Sequence, residues 1–304
     1  MSARSIMKLM VGFYIGIFFL FLFGPLIIMS ISAFNETSYP QVWPFEGFTF
    51  HWFGDFFTDD MMVGGITNSI YIGIGVVCLS VPLGLASALL MTQVGPRLRP
   101  IYYTIIVSPV LTPGVILGIS TLVFWDRIGM LVTGTPPDYQ SIFYKGFFLT
   151  ILGQSTFISA YCMLVFLARL QRFDQTQEEA ALDLGASNVQ VFRKILLPFL
   201  KPAILSSAVL AFLSSFENYN TTLFTIQSEA TLTTVLAGRV RMGTEPDIAA
   251  LAVVIISVTL LGAVAYEIAK RREARRERAQ IAAAKQAGMQ DIGWQPAVAE
   301  SAAS

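Results

Sequence analysis

A cluster of polar side chains interrupts an apolar stretch in the last third of the sequence. Glu217 is the acid in this cluster, and its neighbours are Ser214, Asn218 and Asn220. Residues three apart share one face of a helix, and both Ser214 and Asn220 are three residues from Glu217. Charged residues inside a membrane segment are costly and often functional. The cluster therefore predicts either the wall of a path for a cation or a glutamate that reaches the outer membrane interface.

The rest of the sequence offers no set of groups for covalent or metal chemistry. Cys78 and Cys162 lie within apolar runs, which predicts small buried hydrophobes. The single histidine, His51, has no cysteine nearby with which to form a zinc site. No Walker motif for ATP binding occurs. We therefore predict that the chain is not an enzyme, holds no metal or cofactor, binds no nucleic acid, and leaves ATP to a partner subunit.

Six apolar segments dominate the sequence. Hydrophobic residues make up 54% of the 304 residues, charged residues make up 13%, and the mean hydropathy is +0.63. A helix needs roughly 20 apolar residues to cross a bilayer, and each segment reaches that length. The segments are Leu9–Ile31, Gly64–Thr92, Ile101–Phe124, Phe147–Ala168, Phe199–Leu223 and Ile248–Ala269. The predicted fold class is an all-α polytopic membrane protein with six transmembrane helices.

These segments predict three parts of the chain. They are a cytoplasmic N-terminus (1–8), a membrane domain (9–269), and a tail (270–304) that is first basic and then disordered. The first segment is too long for a signal-peptide core, which predicts an uncleaved helix. Ser30 and Ser32 leave cleavage open as the alternative. The basic start of the tail, Lys270–Arg276, predicts an anchor at anionic lipid headgroups.

Lys and Arg residues in the loops predict the orientation. With the N-terminus inside, the cytoplasmic segments hold most of the basic residues, and the first outer loop, Ser32–Val63, holds none. The positive-inside rule therefore places both termini in the cytoplasm. The same loop is rich in rings, among them Trp43, Phe48 and Trp52. They predict either a segment at the membrane interface or ordinary packing on neighbouring helices.

A polar cytoplasmic loop of about 30 residues, Arg169–Leu197, separates the fourth and fifth segments. Thr176 with Glu179, and Ser187 with Gln190, each match the capping box S/T-x-x-E/Q. The two boxes predict two short helices, of which the first has a small apolar facet and the second a bulkier one. An exposed helix with such a facet is suited to a groove in a partner protein. The alternative is that both helices only cover the membrane surface.

Two residues predict how these short helices end. Gly185 lies between them and suits a helix end that needs a left-handed residue. Pro198 follows the second helix, and the residue before a proline disfavours helical backbone. We therefore predict that the second helix closes before the fifth span begins.

The loop also carries a sequence signature with the spacing E-A-A-x3-G-x9-I-x-L-P. Its residues are Glu179, Ala180, Ala181, Gly185, Ile195, Leu197 and Pro198. The pattern resembles the EAA signature of permeases from binding-protein-dependent ABC importers. This resemblance implies a coupling-helix loop (169–198) that docks in a cleft of an ATPase subunit. It also implies that Glu179 contacts the ATPase and that Gly185 permits the turn between the helices.

Over roughly residues 10–270, the chain resembles the second permease of spermidine/putrescine-type importers. The motifs that carry this likeness are Phe34-Asn35, Gly47-Phe48-Thr49, Trp52-Phe53, Asn68-Ser69, Pro109, Pro113, Gly118, Gly243, Pro246-Asp247 and Ala250-Leu251-Ala252. The resemblance implies a bacterial inner-membrane protein whose solute is a small organic cation, a polyamine. It implies four kinds of partner: cytoplasmic ABC ATPase subunits, a second permease in a heterodimer, a periplasmic solute-binding protein, and membrane lipid.

One position departs from this subgroup. Polyamine-type permeases tend to carry two adjacent acids where this sequence has Glu217-Asn218. A polycation favours several negative partners, so another amine, an amino-acid-like solute or a zwitterion stays open as the alternative. A self-contained secondary carrier is a more distant alternative, because such carriers usually have more spans and internal repeats.

Prolines and glycines in two segments carry further predictions. The third segment contains Pro109, Pro113, Gly114 and Gly118, which weaken or kink a helix. A kinked helix there is either a gate or one of the many membrane helices that tolerate such residues. In the second segment, Gly73, Gly75 and Gly84 predict positions where helices pack closely.

Overall fold

The computed structural model describes residues 3–37, 39–136, 141, 143–144, 146–243, 246–262, 264, 268 and 272. All regular elements within these residues are helices. They are α1 (Ala3–Ala33), α2 (His51–Thr58), α3 (Asp60–Gln93), α4 (Arg99–Leu111), α5 (Gly114–Thr133), α6 (Phe147–Leu170), α7 (Thr176–Asp183), α8 (Asn188–Val191), a π-helical segment (Phe192–Leu196), α9 (Leu197–Phe216), α10 (Thr222–Thr225), α11 (Leu232–Met242) and α12 (Pro246–Gly262). The chain forms two compact units: residues 1–53 with 246–304, and residues 54–245.

Five helical stretches are long and apolar enough to cross a bilayer. They are α1, α3, α5, α6 and the run Asn188–Phe216 that ends with α9. α12 is also apolar but shorter. The prediction of an all-α polytopic membrane protein is confirmed, with five spans and one shorter apolar helix among the described residues. The predicted disordered tail lies outside the described residues, apart from Arg272.

The predicted third span, Ile101–Phe124, is wrong as a single helix. α4 ends at Leu111 and α5 begins at Gly114. Between them the backbone is extended, with ψ of 132° at Thr112 and 133° at Pro113. Pro113 has no N–H to donate and disfavours helical backbone at the residue before it, which breaks the helix here. The span-length helix of this region is therefore α5, which runs on to Thr133.

The core of the unit 54–245 lies between α3, α6 and α9. Ile72, Phe166 and Leu200 are among its fully buried side chains. α3 and α6 pack closely at Gly84, where an added Cβ would lie 2.4 Å from the Cβ of Cys162. A larger residue at this position would force the two helices apart.

The predictions for the other two glycines of α3 are confirmed, whereas those for the two cysteines have different outcomes. Cβ atoms added at Gly73 and Gly75 would lie within 3 Å of the Phe212 and Ile151 side chains, so the close-packing prediction is confirmed for these glycines too. Cys162 of α6 is buried as predicted. The burial predicted for Cys78 is wrong, because its side chain lies on the exposed face of α3.

In the unit formed by 1–53 and 246–304, a buried asparagine organises the loop after α1. Asn35 Nδ2 donates to the carbonyls of Gln41 (3.0 Å) and Pro44 (3.1 Å), and its Oδ1 accepts from the Glu46 N–H (2.9 Å). Trp52 Nε1 donates to the Asn35 carbonyl at 2.9 Å. A buried side chain that satisfies three backbone groups fixes the loop in one conformation.

Some aromatic rings of this loop pack on one another, and some are largely exposed. The Phe34 ring packs against those of Phe48 and Phe53, with centroids 5.2 Å apart in both pairs. Trp43 and Phe48 nevertheless remain 85% and 64% exposed. Ring packing accounts for Phe34 and Phe53, whereas the interface position stays a prediction for the exposed rings.

Side chains at the start of α3 hold the segment that leads into α11. Asn68 Nδ2 donates to the Ala230 carbonyl (2.8 Å), and Ser69 Oγ accepts from the Leu232 N–H (2.9 Å). Asp59 caps α3 and forms an ion pair with Arg239 of α11. The hydrogen bond from Arg239 holds the pKa of Asp59 below its ordinary value. The stabilisation from this pair is therefore complete above the ordinary aspartate pKa and is lost only as pH falls through the lowered value.

Candidate substrate pocket and coupling loop

A pocket of about 340 Å³ lies between α6, α9 and the chain that follows α9. It contains all four residues that the sequence predicted for a solute path. Four further residues complete its lining. The lining residues are Ser214, Glu217, Asn218 and Asn220, with Phe157, Tyr161, Leu210 and Tyr219. Their role in transport stays a prediction.

Contrary to the prediction, the pocket residues do not share one helix face. The predicted fifth span, Phe199–Leu223, is wrong at its end, because α9 stops at Phe216. Glu217 is the residue that caps this helix, and its side chain is exposed. Only Ser214 lies within the helix, so the predicted shared helical face does not extend to Asn220. A non-helical turn brings the asparagines back toward Ser214.

A buried polar network holds this turn against α6. Gln154 is 1% exposed; its Nε2 donates to Thr222 Oγ1 (2.8 Å) and its Oε1 accepts from Ser215 Oγ (2.5 Å). Thr222 Oγ1 in turn donates to the Asn218 carbonyl at 2.8 Å. Buried polar groups are costly unless bonded, so these contacts make the turn specific. Gln154 was not predicted, because its signal in the sequence is only a lone amide in the middle of an apolar segment.

The side chain of Asn218 serves this turn as well as lining the pocket. Its Oδ1 accepts from the backbone N–H groups of Thr221 (3.2 Å) and Thr222 (3.3 Å), at the start of α10. Asparagine commonly supports turns in this way. An aspartate would accept the same bonds, so the turn alone does not require an amide at this position.

The break between α4 and α5 lies beside the pocket. Thr221 Oγ1 donates to the Gly114 carbonyl at 3.3 Å. A Cβ added at Gly114 would lie 3.0 Å from the Cβ of Asn220, and one at Gly118 would lie 2.9 Å from the Thr221 carbonyl oxygen. The glycines at the start of α5 thus let the pocket turn approach it closely. The position of the break next to the pocket suits a gate, which stays a prediction.

The pocket combines groups that suit an organic cation. Glu217 supplies a carboxylate, and three aromatic rings can lie against a positive group. The Tyr219 hydroxyl accepts a hydrogen bond of 3.0 Å from Arg241, so a fixed positive charge lies near one side of the pocket. Among the described residues, no three His, Cys, Asp or Glu side chains come together as a metal site.

The predicted coupling loop contains two short helices, as expected. α7 ends at Asp183, and Leu184 caps it. Gly185 follows with φ +84°, which confirms the predicted left-handed residue. The capping box of Ser187 and Gln190 at the start of α8 is also confirmed, with bonds of 2.9 and 3.3 Å.

The first predicted capping box, Thr176 with Glu179, is wrong. Thr176 is the first residue of α7 and not its cap. Asp174 Oδ1 instead accepts from the Thr176 N–H (3.1 Å) and from its hydroxyl (2.8 Å). Gln175 is the N-cap and its side chain makes no capping bond, so the Asp174 carboxylate, one residue earlier, is the side chain that bonds the first turn. Glu179 is therefore not needed for capping, and its side chain is exposed.

The predicted closure of the second helix at Pro198 is also wrong. The helix continues from α8 through the π-helical segment into α9. The Leu197 N–H bonds to the Phe192 carbonyl in π register, and Pro198 follows directly after this wider turn as the second residue of α9. Ile195 and Leu197 therefore belong to one continuous helix, half-buried along its side.

The loop exposes large apolar side chains around a groove. Leu184 is 89% exposed and Val189 64% exposed. A groove of about 370 Å³ between α7 and α8 is lined by Ala181, Leu184, Gly185, Ala186, Gln190, Val191, Lys194 and Ile195. Exposed apolar side chains on short capped helices are suited to contact with a partner protein.

Membrane spans, a polar pocket beside a membrane helix and an exposed two-helix loop together define a transport permease that acts with a partner. The chain belongs to the family of binding-protein-dependent transport system inner membrane components, which matches residues 80–278. It is a multi-pass inner-membrane protein and a permease of an ABC importer. The prediction of a transport component and not an enzyme is confirmed by this family, which also leaves no support for a self-contained carrier.

Relatives and solved structures agree with this family. The putrescine transport system permease protein PotI of Escherichia coli (strain K12) is 33% identical over 264 residues, which cover 86% of this chain and 90% of the relative. The spermidine/putrescine transport system permease protein PotC of the same strain is 24% identical and covers 87% and 95%. A bacterial alginate ABC transporter, solved with an alginate pentasaccharide-bound periplasmic protein, has the same fold, with a TM-score of 0.65 at 20% identity over 86% and 93%.

Proposed function

We propose that this permease moves a small organic cation, a polyamine of the putrescine type, from a periplasmic binding protein into the cell. The observation that carries the proposal is the pocket beside α9, where a single carboxylate, Glu217, faces aromatic rings and amides. An ammonium group gains from both a carboxylate and ring faces. The likeness to a putrescine permease over most of the chain supports the same solute class.

A different amine is the second candidate. Asn218 occupies the position next to Glu217, so the pocket has one acid, and Arg241 holds the Tyr219 hydroxyl at its side. One negative and one nearby positive group fit a monoamine or a zwitterion better than a long polycation. The two candidates differ in how many ammonium groups the solute carries.

The coupling loop is proposed to dock on a cytoplasmic ABC ATPase subunit. Glu179, Ala180 and Ala181 lie on α7, and Gly185 follows that helix. Ile195 lies in the π-helical segment, and Leu197 and Pro198 lie at the start of α9. ATP is bound and hydrolysed by that partner. A second, different permease subunit completes the membrane part, and lipid surrounds the spans. Residues 1–8 and 270–304 are proposed to lie in the cytoplasm, on either side of the membrane domain 9–269.

The solute class is tested by uptake in cells that lack other polyamine importers and express the assembled transporter. We expect labelled putrescine to accumulate, and unlabelled putrescine to compete more strongly than a monoamine of equal length, because a second ammonium adds a second favourable contact. Stronger competition by the monoamine or by a basic amino acid would favour the second candidate. Competition by a neutral diol alone would overturn a cationic solute.

The proposed orientation is tested with single cysteines in a background without Cys78 and Cys162. We expect a membrane-impermeant thiol reagent to label a cysteine at Thr49 in intact cells, and a cysteine at Ser187 only after lysis. The reason is that the loop before α3 lacks Lys and Arg, whereas the coupling loop contains them. Labelling at Ser187 without labelling at Thr49 would reverse the topology.

A further inference from the structure

Three side chains join the two ends of the coupling loop. Arg169 is in the last turn of α6, and its Nε and Nη2 both donate to the Phe199 carbonyl in the first turn of α9, at 3.2 Å each. The guanidinium carbon also lies 4.1 Å from the centroid of the Phe199 ring. The Phe173 ring, just beyond α6, packs on Phe199 with centroids 4.9 Å apart. We call Arg169, Phe173 and Phe199 the clamp.

The clamp lies next to an irregular stretch of the helix. The π-helical segment Phe192–Leu196 directly precedes α9, and Pro198 and Pro202 each lack the N–H that a regular helix would use. Such a stretch bends more readily than an uninterrupted α-helix. The carbonyl that Arg169 binds belongs to Phe199, next to the Pro198 carbonyl, which lacks its helical donor because residue 202 is a proline. The arginine therefore adds a fixed contact beside a missing helical hydrogen bond.

The helices joined by the clamp also line the candidate pocket. α6 contributes Phe157 and Tyr161, and α9 contributes Leu210 and Ser214. A displacement of the loop reaches the pocket only if both helices move with it. Without the clamp, the first turn of α9 could separate from the end of α6, and a displacement carried by one helix would not be shared with the other.

We propose that Arg169 is a positioning residue that makes the coupling loop and the two pocket-lining helices move as one body. The proposal rests on the proposed docking of this loop on an ATPase. Arg169 is assigned a role in coupling and not in solute contact. Its guanidinium is bonded at the C-terminal end of α6, whereas the pocket-lining residues of this helix, Phe157 and Tyr161, lie nearer its middle.

The test uses the assembled importer in liposomes, with a cysteine at Ser214 and with Cys78 and Cys162 replaced. The labelling rate of this cysteine is measured with and without ATP and vanadate, so no solute need be known. In the parent protein we expect nucleotide to change the rate by about tenfold, and we expect Arg169→Gln to reduce that change to less than about twofold. ATP hydrolysis and retention of the ATPase in a pull-down should stay near parent values.

Two further variants make the result specific. Arg172→Gln removes an exposed guanidinium that, together with Arg169, lines a surface recess of about 260 Å³, and it should leave the response unchanged. Phe199→Leu removes both ring contacts but keeps the backbone carbonyl. We therefore expect the nucleotide-dependent change in labelling rate to be reduced by about threefold, between the values of the parent protein and Arg169→Gln. If Arg169→Gln fails to assemble, Phe199→Leu decides the question.

A full response in Arg169→Gln, or in Phe199→Leu where that variant decides, overturns the proposal. An equal defect in Arg172→Gln also overturns the proposal. The defect would then follow from the loss of positive charge near the end of α6 and not from the loss of the clamp contacts. Loss of the ATPase from Arg169→Gln would assign the residue to docking instead. If the parent protein shows no nucleotide response, the proposed coupling between the loop and the pocket is overturned. The identity of the solute does not enter these measurements, so an error in the proposed solute class would leave them unchanged.

Discussion

Glu179→Lys and Gly185→Val are each expected to abolish uptake while the protein remains in the membrane. Glu179 is exposed on α7 and takes no part in capping the helix, so its charge is available to a partner. Charge reversal would place a cation against any basic group of the ATPase. Gly185 has φ +84°, and a β-branched residue in that conformation costs about 1–3 kcal/mol. Both changes should also release the ATPase in a detergent pull-down.

Matched variants separate the proposed causes. Asp183→Lys reverses a charge on the same helix at a position that the signature leaves unspecified, and it should preserve uptake. Asn tolerates the left-handed region, and a Cβ at Gly185 meets no atom within 4 Å, so Gly185→Asn should retain most activity. If Glu179→Lys or Gly185→Val keeps both the ATPase and normal transport, the coupling loop has been assigned wrongly.

The membrane class and most spans could be predicted because a bilayer selects for apolar length alone. Residues such as Phe147 and Gln93 therefore lie within a residue or two of predicted boundaries. The helix ends near prolines could not be predicted in the same way. Pro113 breaks a helix, whereas Pro198 lies inside a longer one. The difference depends on whether the preceding turn can shift into π register, which tertiary packing decides and local sequence does not show.

Only some of the pocket residues could be predicted from the sequence. Glu217 and its neighbours are adjacent in the chain, so their polarity stands out in an apolar run. Tyr161 and Gln154 come from α6 and are separate from that cluster in sequence. Their contribution follows from the packing of α6 on α9, which composition and spacing do not specify. Aromatic and amide residues in a membrane helix have many uses, so neither residue alone indicates a pocket.

Glu217→Gln is expected to reduce transport by one to two orders of magnitude without abolishing it. Gln keeps the size and hydrogen bonding of the side chain, so the loss would be electrostatic. Two unit charges about 4 Å apart attract by roughly 4 kcal/mol at an effective dielectric of 20. Desolvation and solvent screening at this exposed side chain oppose much of that attraction. The remainder is expected to be about 1.4–2.8 kcal/mol, which corresponds to a ten- to hundredfold change in rate.

The measurement compares initial uptake rates with ATP hydrolysis in the same liposomes. Binding of the solute to the periplasmic protein should not change, because that protein is a separate chain, and hydrolysis stimulated by the loaded binding protein should persist. That pattern differs from Glu179→Lys, which should lose the ATPase altogether. Glu229→Gln is the control, since Glu229 is an exposed acid outside the pocket and water screens its charge. If Glu217→Gln transports as well as the parent protein, Glu217 is only a glutamate at the membrane interface. The pocket then loses its one charged group that favours a cation, and the solute class must be sought among neutral or zwitterionic amines.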